Sequence, residues 1–319
     1  MKILITGASG FIGRYLSSLA VQRGHEVVGT YLTENDLKTR TPKNPAIKWL
    51  PLDIRQRAEV NSLIDKVRPE AVFHLAAQAY VKQALLDPAD TFLTNVLGTI
   101  YLYEALKTRP PREGILLASS SSAYGLSKTI PATEDTPLRP MNPYGVSKAC
   151  QDMLSGQYSM NFGLRIVRAR LYITTGPGKV GDALNDFAKQ VAVAEVSGGP
   201  GILKVGNLES RRDISDVRDI VEGLWTVFEK GTSEEPVNVG AGESYSIRDI
   251  VDKLKLLSMV PLSIVRDPGL VRPSDEPVIE GDIRRLRQLG YVRRVPFEMT
   301  IEDSLNYWRE EMANPHPLA

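Results

Sequence analysis

Apolar runs of the buried-strand type alternate with helical stripes through the first half of the chain. Lys2–Thr6 is a short apolar run closed by glycine, the pattern of a strand covered on both faces. Ile12, Tyr15, Leu16, Leu19 and Ala20 then recur at helical spacing until Gly24 stops the helix. Glu26–Gly29 reads as a second strand, and Val60, Leu63, Ile64 and Val67 as the inner face of a second helix. Ala71–Ala76 is a strand, Asp87–Lys107 a long helix, Ile115–Ser119 a strand, Tyr144–Phe162 a helix and Leu164–Arg168 a strand. Such alternation, with strands apolar throughout, predicts an α/β fold built on a doubly wound parallel (Rossmann) sheet with helices on both faces.

Beyond residue 172 the rhythm changes. Gly176-Pro177-Gly178 and Ser197–Gly201 punctuate irregular connections, while Pro236–Val239 reads as one more strand of the first sheet. From Ser246 onward two or three helices are joined by loops rich in arginine and proline. The expected division is a sheet domain over 1–172, rejoined by 213–245, and a smaller C-terminal lobe made of 173–212 and 246–319. No internal repeat or low-complexity tract is present.

Charge narrows the choice of partners. Lysine and arginine number 39 against 38 acidic residues, a net charge of +1. That leaves no field to attract nucleic acid or an acidic membrane, so neither is an expected partner. No apolar run approaches the roughly 20 residues a membrane helix needs. The opening MKILITG runs directly into a strand without a charged-then-apolar leader, and the single cysteine, Cys150, permits no internal disulfide. A cytoplasmic protein is expected. The three histidines, His25, His74 and His316, have no metal-ligand spacing, so no metal is expected.

The first strand ends in Thr6-Gly7-Ala8-Ser9-Gly10-Phe11-Ile12-Gly13 and a helix follows at once. Gly7 permits a tight turn, Gly10 lets backbone approach a pyrophosphate, and Gly13 lets helix and strand pack closely. The free N–H groups of the helix start, carried by Gly10, Phe11, Ile12 and Gly13, then face the negative charge. Dinucleotide folds place a carboxylate on the adenosine ribose at the end of the second strand. Here that position is Thr30, and Lys38 or Arg40 follows in the next loop, which favours NADP(H) over NAD(H). Asp53, in Leu52-Asp53-Ile54, is placed to accept a hydrogen bond from the adenine amine, with Ile54 beside it.

Tyr144-Gly145-Val146-Ser147-Lys148 opens a helix, and its spacing puts Tyr144 and Lys148 on one face. A phenol near its ordinary pKa of about 10 transfers protons poorly at neutral pH. An adjacent ammonium is expected to stabilise the phenolate and bring that value down. The pair follows a strand ending in four serines, Ser119–Ser122.

With these features the chain resembles the nucleotide-sugar branch of the extended short-chain dehydrogenase/reductases. The shared segments span nearly the whole length: the glycine turn, His74-Leu75-Ala76-Ala77-Gln78, Asn95-Val96-Leu97-Gly98-Thr99, Ser119–Gly125, Pro143–Lys148 and Arg212–Val217. The resemblance implies that Ser120 hydrogen-bonds the reacting sugar oxygen, that Tyr144 is the acid/base, and that Lys148 also holds the nicotinamide ribose. Leu75, Ala76, Ala77 and Asn95 would line the dinucleotide, and Gln78 and Ser121 the sugar. Lys204, Asn207 and Arg212, in a segment similar to one found in enzymes of GDP-mannose derivatives, would bind the GDP-sugar. Arg272 and Glu276 would complete a diphosphate and ribose clamp, for which arginine's planar fork suits phosphate oxygens; Asp275 is the weaker member.

Three reactions share such a scaffold. Sugar 4,6-dehydration needs a further acid/base; in the dehydratases that the chain resembles it lies one or two residues after the catalytic serine or threonine, where this chain has Ser121 and Ser122. Dehydration is therefore disfavoured. The resemblance implies NAD(P)H-dependent reduction of the 4-keto group of a GDP-4-keto-6-deoxyhexose; the alternatives are a 4-epimerase that retains NAD and, more distantly, a dinucleotide sensor without catalysis. The sequence departs from the family at Ile173, where relatives carry an asparagine that contacts the sugar diphosphate. Thr174 or Thr175 would substitute. The resemblance also implies a homodimer joined through Asp87–Lys107 and Tyr144–Phe162 as a four-helix bundle.

Overall fold

The computed structural model describes residues 1–40, 44–270 and 277–313, without the side chains of 38–40. Along the chain run β1 (Lys2–Thr6), α1 (Phe11–Gln22), β2 (Glu26–Tyr31), α2 (Glu34–Arg40), β3 (Ile47–Pro51), α3 (Arg57–Val67) and β4 (Ala71–His74). Next come α4 (Val81–Leu86), α5 (Pro88–Phe92), a π-turn at Leu93–Leu97, α6 (Gly98–Thr108), β5 (Gly114–Ser120), α7 (Pro143–Phe162), β6 (Ile166–Leu171) and β7 (Ile173–Thr175). The rest is α8 (Ala183–Ser197), β8 (Gly201–Val205), β9 (Arg211–Asp216), α9 (Val217–Lys230), β10 (Val237–Val239), β11 (Ser244–Ser246), α10 (Ile247–Leu257), β12 (Leu262–Arg266), β13 (Val278–Ile279), α11 (Arg284–Gln288) and α12 (Phe297–Ala313).

Seven strands form one parallel sheet in the order β10-β6-β5-β4-β1-β2-β3. The parallel doubly wound sheet expected from the apolar runs is thus observed, with Val237–Val239 as its edge strand beside β6. All seven residues of β5 are buried, as a strand covered on both faces must be. Val60, Leu63, Ile64 and Val67 of α3 are buried against this sheet with Leu102, Tyr103 and Leu106 of α6. The chain leaves β1 toward β2 and β3, then returns to β4 on the other side of β1. At such a switch point the carboxyl ends of the strands open a crevice suited to a ligand. Gly7 follows β1 and Leu75–Ala77 follow β4 at this crevice.

The chain divides into two compact units: Met1–Leu171 with Val221–Val239 and Asp282–Tyr291, and Tyr172–Ile220 with Gly240–Gly281 and the segment from Val292 onward. Residues 213–220 and 240–245, assigned above to the sheet domain, lie in the second unit, and 282–291 lie in the first. In the second unit β9 pairs with β7, β11 and β13, and β8 with β12. Its core joins Leu184, Phe187 and Val191 of α8 to Ile250 and Leu254 of α10 and Ile301, Leu305 and Trp308 of α12. Among the described residues no helix is long and apolar enough to cross a membrane.

Candidate active site

The glycine turn is shaped by what a side chain would hit. Gly7 adopts φ +69°, and a Cβ there would lie 2.7 Å from the Ala76 nitrogen. A Cβ at Gly13 would lie 2.4 Å from the Gly7 carbonyl oxygen. The Gly10 N–H donates to the Gly7 carbonyl at 3.0 Å, and α1 starts from Gly10 without a side-chain cap. The first N–H groups of α1, including those of Phe11, Ile12 and Gly13, are therefore donors to which a pyrophosphate is suited. Leu75, Ala76 and Ala77 run beside this turn, the Ala76 N–H donating to Thr6 Oγ1 at 3.3 Å.

Thr30, expected at the adenosine ribose, is turned inward instead. It is 2 % exposed, and its hydroxyl accepts the Gly7 N–H at 3.0 Å. It braces the turn from below. The carboxylates that follow β2 are Glu34, which accepts the Tyr31 hydroxyl, and Asp36, which accepts the Thr33 N–H and hydroxyl. Sequence reasoning passed over both, because it tested only the strand's last position. Lys38 and Arg40, its candidates for a 2′-phosphate, have side chains outside the described residues. Asp53 is held by Arg55, whose Nε and Nη2 both donate to it at 2.8 Å, while Nη1 reaches Asp90 at 2.7 Å. That pairing holds the Asp53 carboxyl below its usual range. Ile54 is buried and lies under Gly98, where a Cβ would come within 2.9 Å of it.

The serine strand and the tyrosine helix meet through backbone geometry. After β5, Ser121–Ala123 form a single 3-10 turn whose Ser122 N–H donates to Ser120 Oγ at 3.1 Å. Pro143 opens α7, and Asn142 caps it by accepting the Gly145 N–H at 2.9 Å. A Cβ at Gly145 would stand 2.4 Å from the Ser122 carbonyl oxygen, so only glycine lets the helix seat against the serine turn. This seat brings the Ser120 hydroxyl near enough to the Tyr144 phenol to favour its ionised form.

Lys148 is 5 % exposed and donates its ammonium to the Ala118 carbonyl at 2.9 Å. Burial lowers it to about 8. The lowering of the Tyr144 phenol expected from this ammonium is not what the geometry gives. Burial raises the phenol, the nearby Ser120 hydroxyl works in the opposite direction, and burial is the larger effect. His74, buried between Thr6 and Thr99 hydroxyls at 2.8 and 2.9 Å, is brought down to about 3 by burial and by Lys148, and stays neutral.

Asn95 sits in the π-turn and is fully buried. Its Oδ1 accepts the Gln78 N–H at 2.8 Å, and its Nδ2 donates to the Gln78 carbonyl at 3.0 Å and to Ser147 Oγ at 2.9 Å. It therefore ties the loop after β4 to the first turn of α7. Gln78, expected to reach the sugar, spends its amide on this loop: Nε2 donates to the Tyr80 carbonyl and Thr91 Oγ1, and Oε1 accepts the Tyr80 N–H.

The second unit carries the other sequence candidates. Ile173 opens β7 and packs against that unit's core, so it serves packing rather than hydrogen bonding. The Thr174 hydroxyl donates to the Tyr172 carbonyl at 3.3 Å, and that of Thr175 to Asp182 at 2.6 Å. Lys204 points outward from β8, and Asn207 accepts the Glu209 N–H in the turn that follows. Arg212 is 9 % exposed on β9, with Nη1 donating to the Arg211 carbonyl at 2.8 Å. Arg272, Asp275 and Glu276 lie outside the described residues. Asp213, beside Arg212, was not singled out: its buried carboxylate accepts the N–H groups of Ala241, Gly242 and Gly281 at 2.7, 3.1 and 3.3 Å.

Comparison with known proteins agrees with this arrangement. GDP-6-deoxy-D-mannose reductase of Pseudomonas aeruginosa is 30% identical over 98% of each chain. The structure of RMD from Pseudomonas aeruginosa complexed with NADPH covers 97% of this chain and 99% of its own, with TM-score 0.83 and 28% identity. UDP-glucose 4-epimerase from Thermus thermophilus complexed with NAD also gives TM-score 0.83, at 26% identity over 97% of this chain and 99% of its own. The family model described as GDP-mannose 4,6 dehydratase matches residues 4–304, and the chain belongs to that family of extended short-chain dehydrogenase/reductases, NAD(P)-dependent enzymes of nucleotide sugars.

Proposed function

We propose that the protein reduces the 4-keto group of a GDP-4-keto-6-deoxyhexose, in the manner of GDP-4-keto-6-deoxy-D-mannose going to GDP-D-rhamnose, with NADPH preferred over NADH. The observation that carries this reading is the seating of α7 on the serine turn, Gly145 against the Ser122 carbonyl, which brings Tyr144 beside Ser120 at a turn that offers only hydroxyls at 121 and 122. The dinucleotide, when bound, supplies the hydride that reaches C4. Tyr144 gives its proton to the carbonyl oxygen as charge develops there, and Ser120 holds that oxygen by hydrogen bonding. Lys148 steadies the resulting phenolate and binds the ribose. The oxygen ends as a hydroxyl, and Tyr144 is reprotonated before the next turnover.

We assign the glycine turn (Gly7, Gly10, Phe11, Ile12, Gly13) and Leu75–Ala77 to the dinucleotide, and Thr174, Lys204, Asn207, Arg212, Arg272 and Glu276 to the GDP-sugar. Ser121 flanks the sugar. NADPH preference is supported by the NADPH complex of the Pseudomonas aeruginosa structure. We also assign a homodimer: an apolar groove lined by Val96, Ile100, Cys150, Met153, Leu154 and Gln157 lies between the π-turn, α6 and α7. Two copies paired through it would form a four-helix bundle.

A 4-epimerase that keeps NAD is the second reading, favoured by the equal structural similarity of the Thermus thermophilus epimerase. NADPH oxidation, followed at its absorbance band, separates the two. Oxidation matching the added GDP-4-keto-6-deoxymannose, and absent with the UDP and dTDP analogues, supports the reductase. Folded protein that carries bound NAD and oxidises NADPH with none of them is the epimerase.

A further inference from the structure

We propose that Asp152, Arg170 and Tyr124 form a positioning frame that fixes how α7, and with it Tyr144, seats against the turn that carries Ser120; this rests on the reading of Tyr144 and Ser120 as the proton-donating site. Asp152 lies on α7, two turns beyond Tyr144, and is 1 % exposed. Its carboxylate takes Arg170 Nε and Nη2, each at 2.9 Å, and Arg168 Nη1 at 3.3 Å. Two buried guanidiniums on one carboxylate are a poor choice for stability alone, because apolar side chains of similar volume commonly do as well. The arrangement does supply direction.

Arg170 passes the constraint on. Its Nη1 donates to the Tyr124 hydroxyl at 3.0 Å and to the Glu134 carbonyl at 2.8 Å, and its guanidinium stands 5.1 Å from the centre of the Tyr124 ring. The Tyr124 hydroxyl donates in turn to Asn238 Oδ1 at 2.6 Å. Tyr124 closes the serine turn, its N–H donating to the Ser121 carbonyl at 3.0 Å. Gly125 follows at φ +60°, pressed on the Arg139 carbonyl where a Cβ would lie 1.9 Å away. The links make a closed circuit: the serine turn, Tyr124, Arg170, Asp152, the body of α7, Gly145, and back to the Ser122 carbonyl. Each join is covalent, helical, charge-assisted or a tight backbone contact, so together they set where Tyr144 stands relative to Ser120. Burial pushes the Tyr124 phenol up to about 12, which keeps it a proton-bearing strut rather than a second acid.

The test uses the full-length enzyme. Asp152→Asn strips the charge from between two guanidiniums and is expected to fold badly, so Tyr124→Phe, which keeps the ring and removes one hydroxyl, is the primary variant. Turnover is measured with NADPH and GDP-4-keto-6-deoxymannose. The resonance of Tyr144 in ligand-free enzyme labelled with [13Cζ]tyrosine is followed in parallel and assigned by its loss in Tyr144→Phe. The expected result is a kcat lowered roughly tenfold, with the KM for NADPH within about twofold of the wild type and a displaced Tyr144 resonance. Asp152→Glu, which keeps the charge but moves it by one methylene, is expected to act in the same direction, so the outcome does not hang on one variant folding. Unchanged kcat and an unmoved resonance in both variants, whatever their melting temperatures, overturn the frame alone provided Tyr144→Phe is inactive. A Tyr144→Phe enzyme that turns over normally overturns the proton-donor reading and the frame with it.

Discussion

A lysine that is 5 % exposed and gives its ammonium to one carbonyl keeps its proton less firmly than a lysine in water, and burial brings Lys148 from its ordinary 10.5 to about 8. Between those values the unfolded chain holds a proton that the folded chain has shed, so raising the pH through that window favours folding. Activity that depends on the ammonium moves the other way. We expect kcat/KM to fall above about pH 8, and the residual activity of Lys148→Met to lack that limb, both read from pH–rate profiles. Tyr144→Phe is expected to lower kcat by about 100- to 10,000-fold, the usual scale for a lost proton donor. Dinucleotide affinity, measured by calorimetry, should be untouched. The tyrosine helix and the serine run were legible because both depend on local signals, a helix start and a strand end, while Ser120 was singled out among the four serines by the family resemblance alone. Thr30 and Gln78 were not, since their partners, Gly7 and Thr91, are set by the fold and leave no mark on spacing.

Where elements touch, single atoms set their distance. Gly145→Ala would place a methyl 2.4 Å from the Ser122 carbonyl, forcing α7 away from the serine turn. Denaturant unfolding should show a loss of about 1–3 kcal/mol, the cost of overpacking a tight contact, and kcat should fall more than stability alone explains. Asn95→Leu is expected to strand the Gln78 N–H and carbonyl, costing about 1–3 kcal/mol for each buried group left unpaired. Hydrogen exchange across residues 76–80 should speed up accordingly. The helix read from Asp87 to Lys107 is observed as α5, the π-turn and α6 in succession. Apolar periodicity cannot register a π-turn, which adds one residue to a turn without changing its polarity. The turn directs Asn95 inward, while Val96 lines the apolar groove.

At the scale of the molecule, the first unit was readable because alternating strands and helices leave few ways to build a parallel sheet. The second was not: its strands are split between sheets of four and two, and α8, α10 and α12 bury their apolar faces on one another rather than on a long sheet. Met153 and Leu97, 59 % and 41 % exposed, lie along the proposed dimer face. Met153→Glu should convert the dimer to monomer in sedimentation velocity, with the fold retained by circular dichroism.

The inward hydroxyl of Thr30 also bears on attempts to redesign coenzyme choice. Replacing the residue expected at the ribose, Thr30 near the end of the second strand, by aspartate is the intuitive way to turn such an enzyme toward NADH. Here the new carboxylate would not meet a ribose. It would enter a space 2 % open to water, against the one N–H that Gly7 offers, and burying a charge there is costly. The glycine turn would be lost before the preference changed, so a swap of coenzyme has to be sought in the segment after β2, where Glu34 and Asp36 already stand.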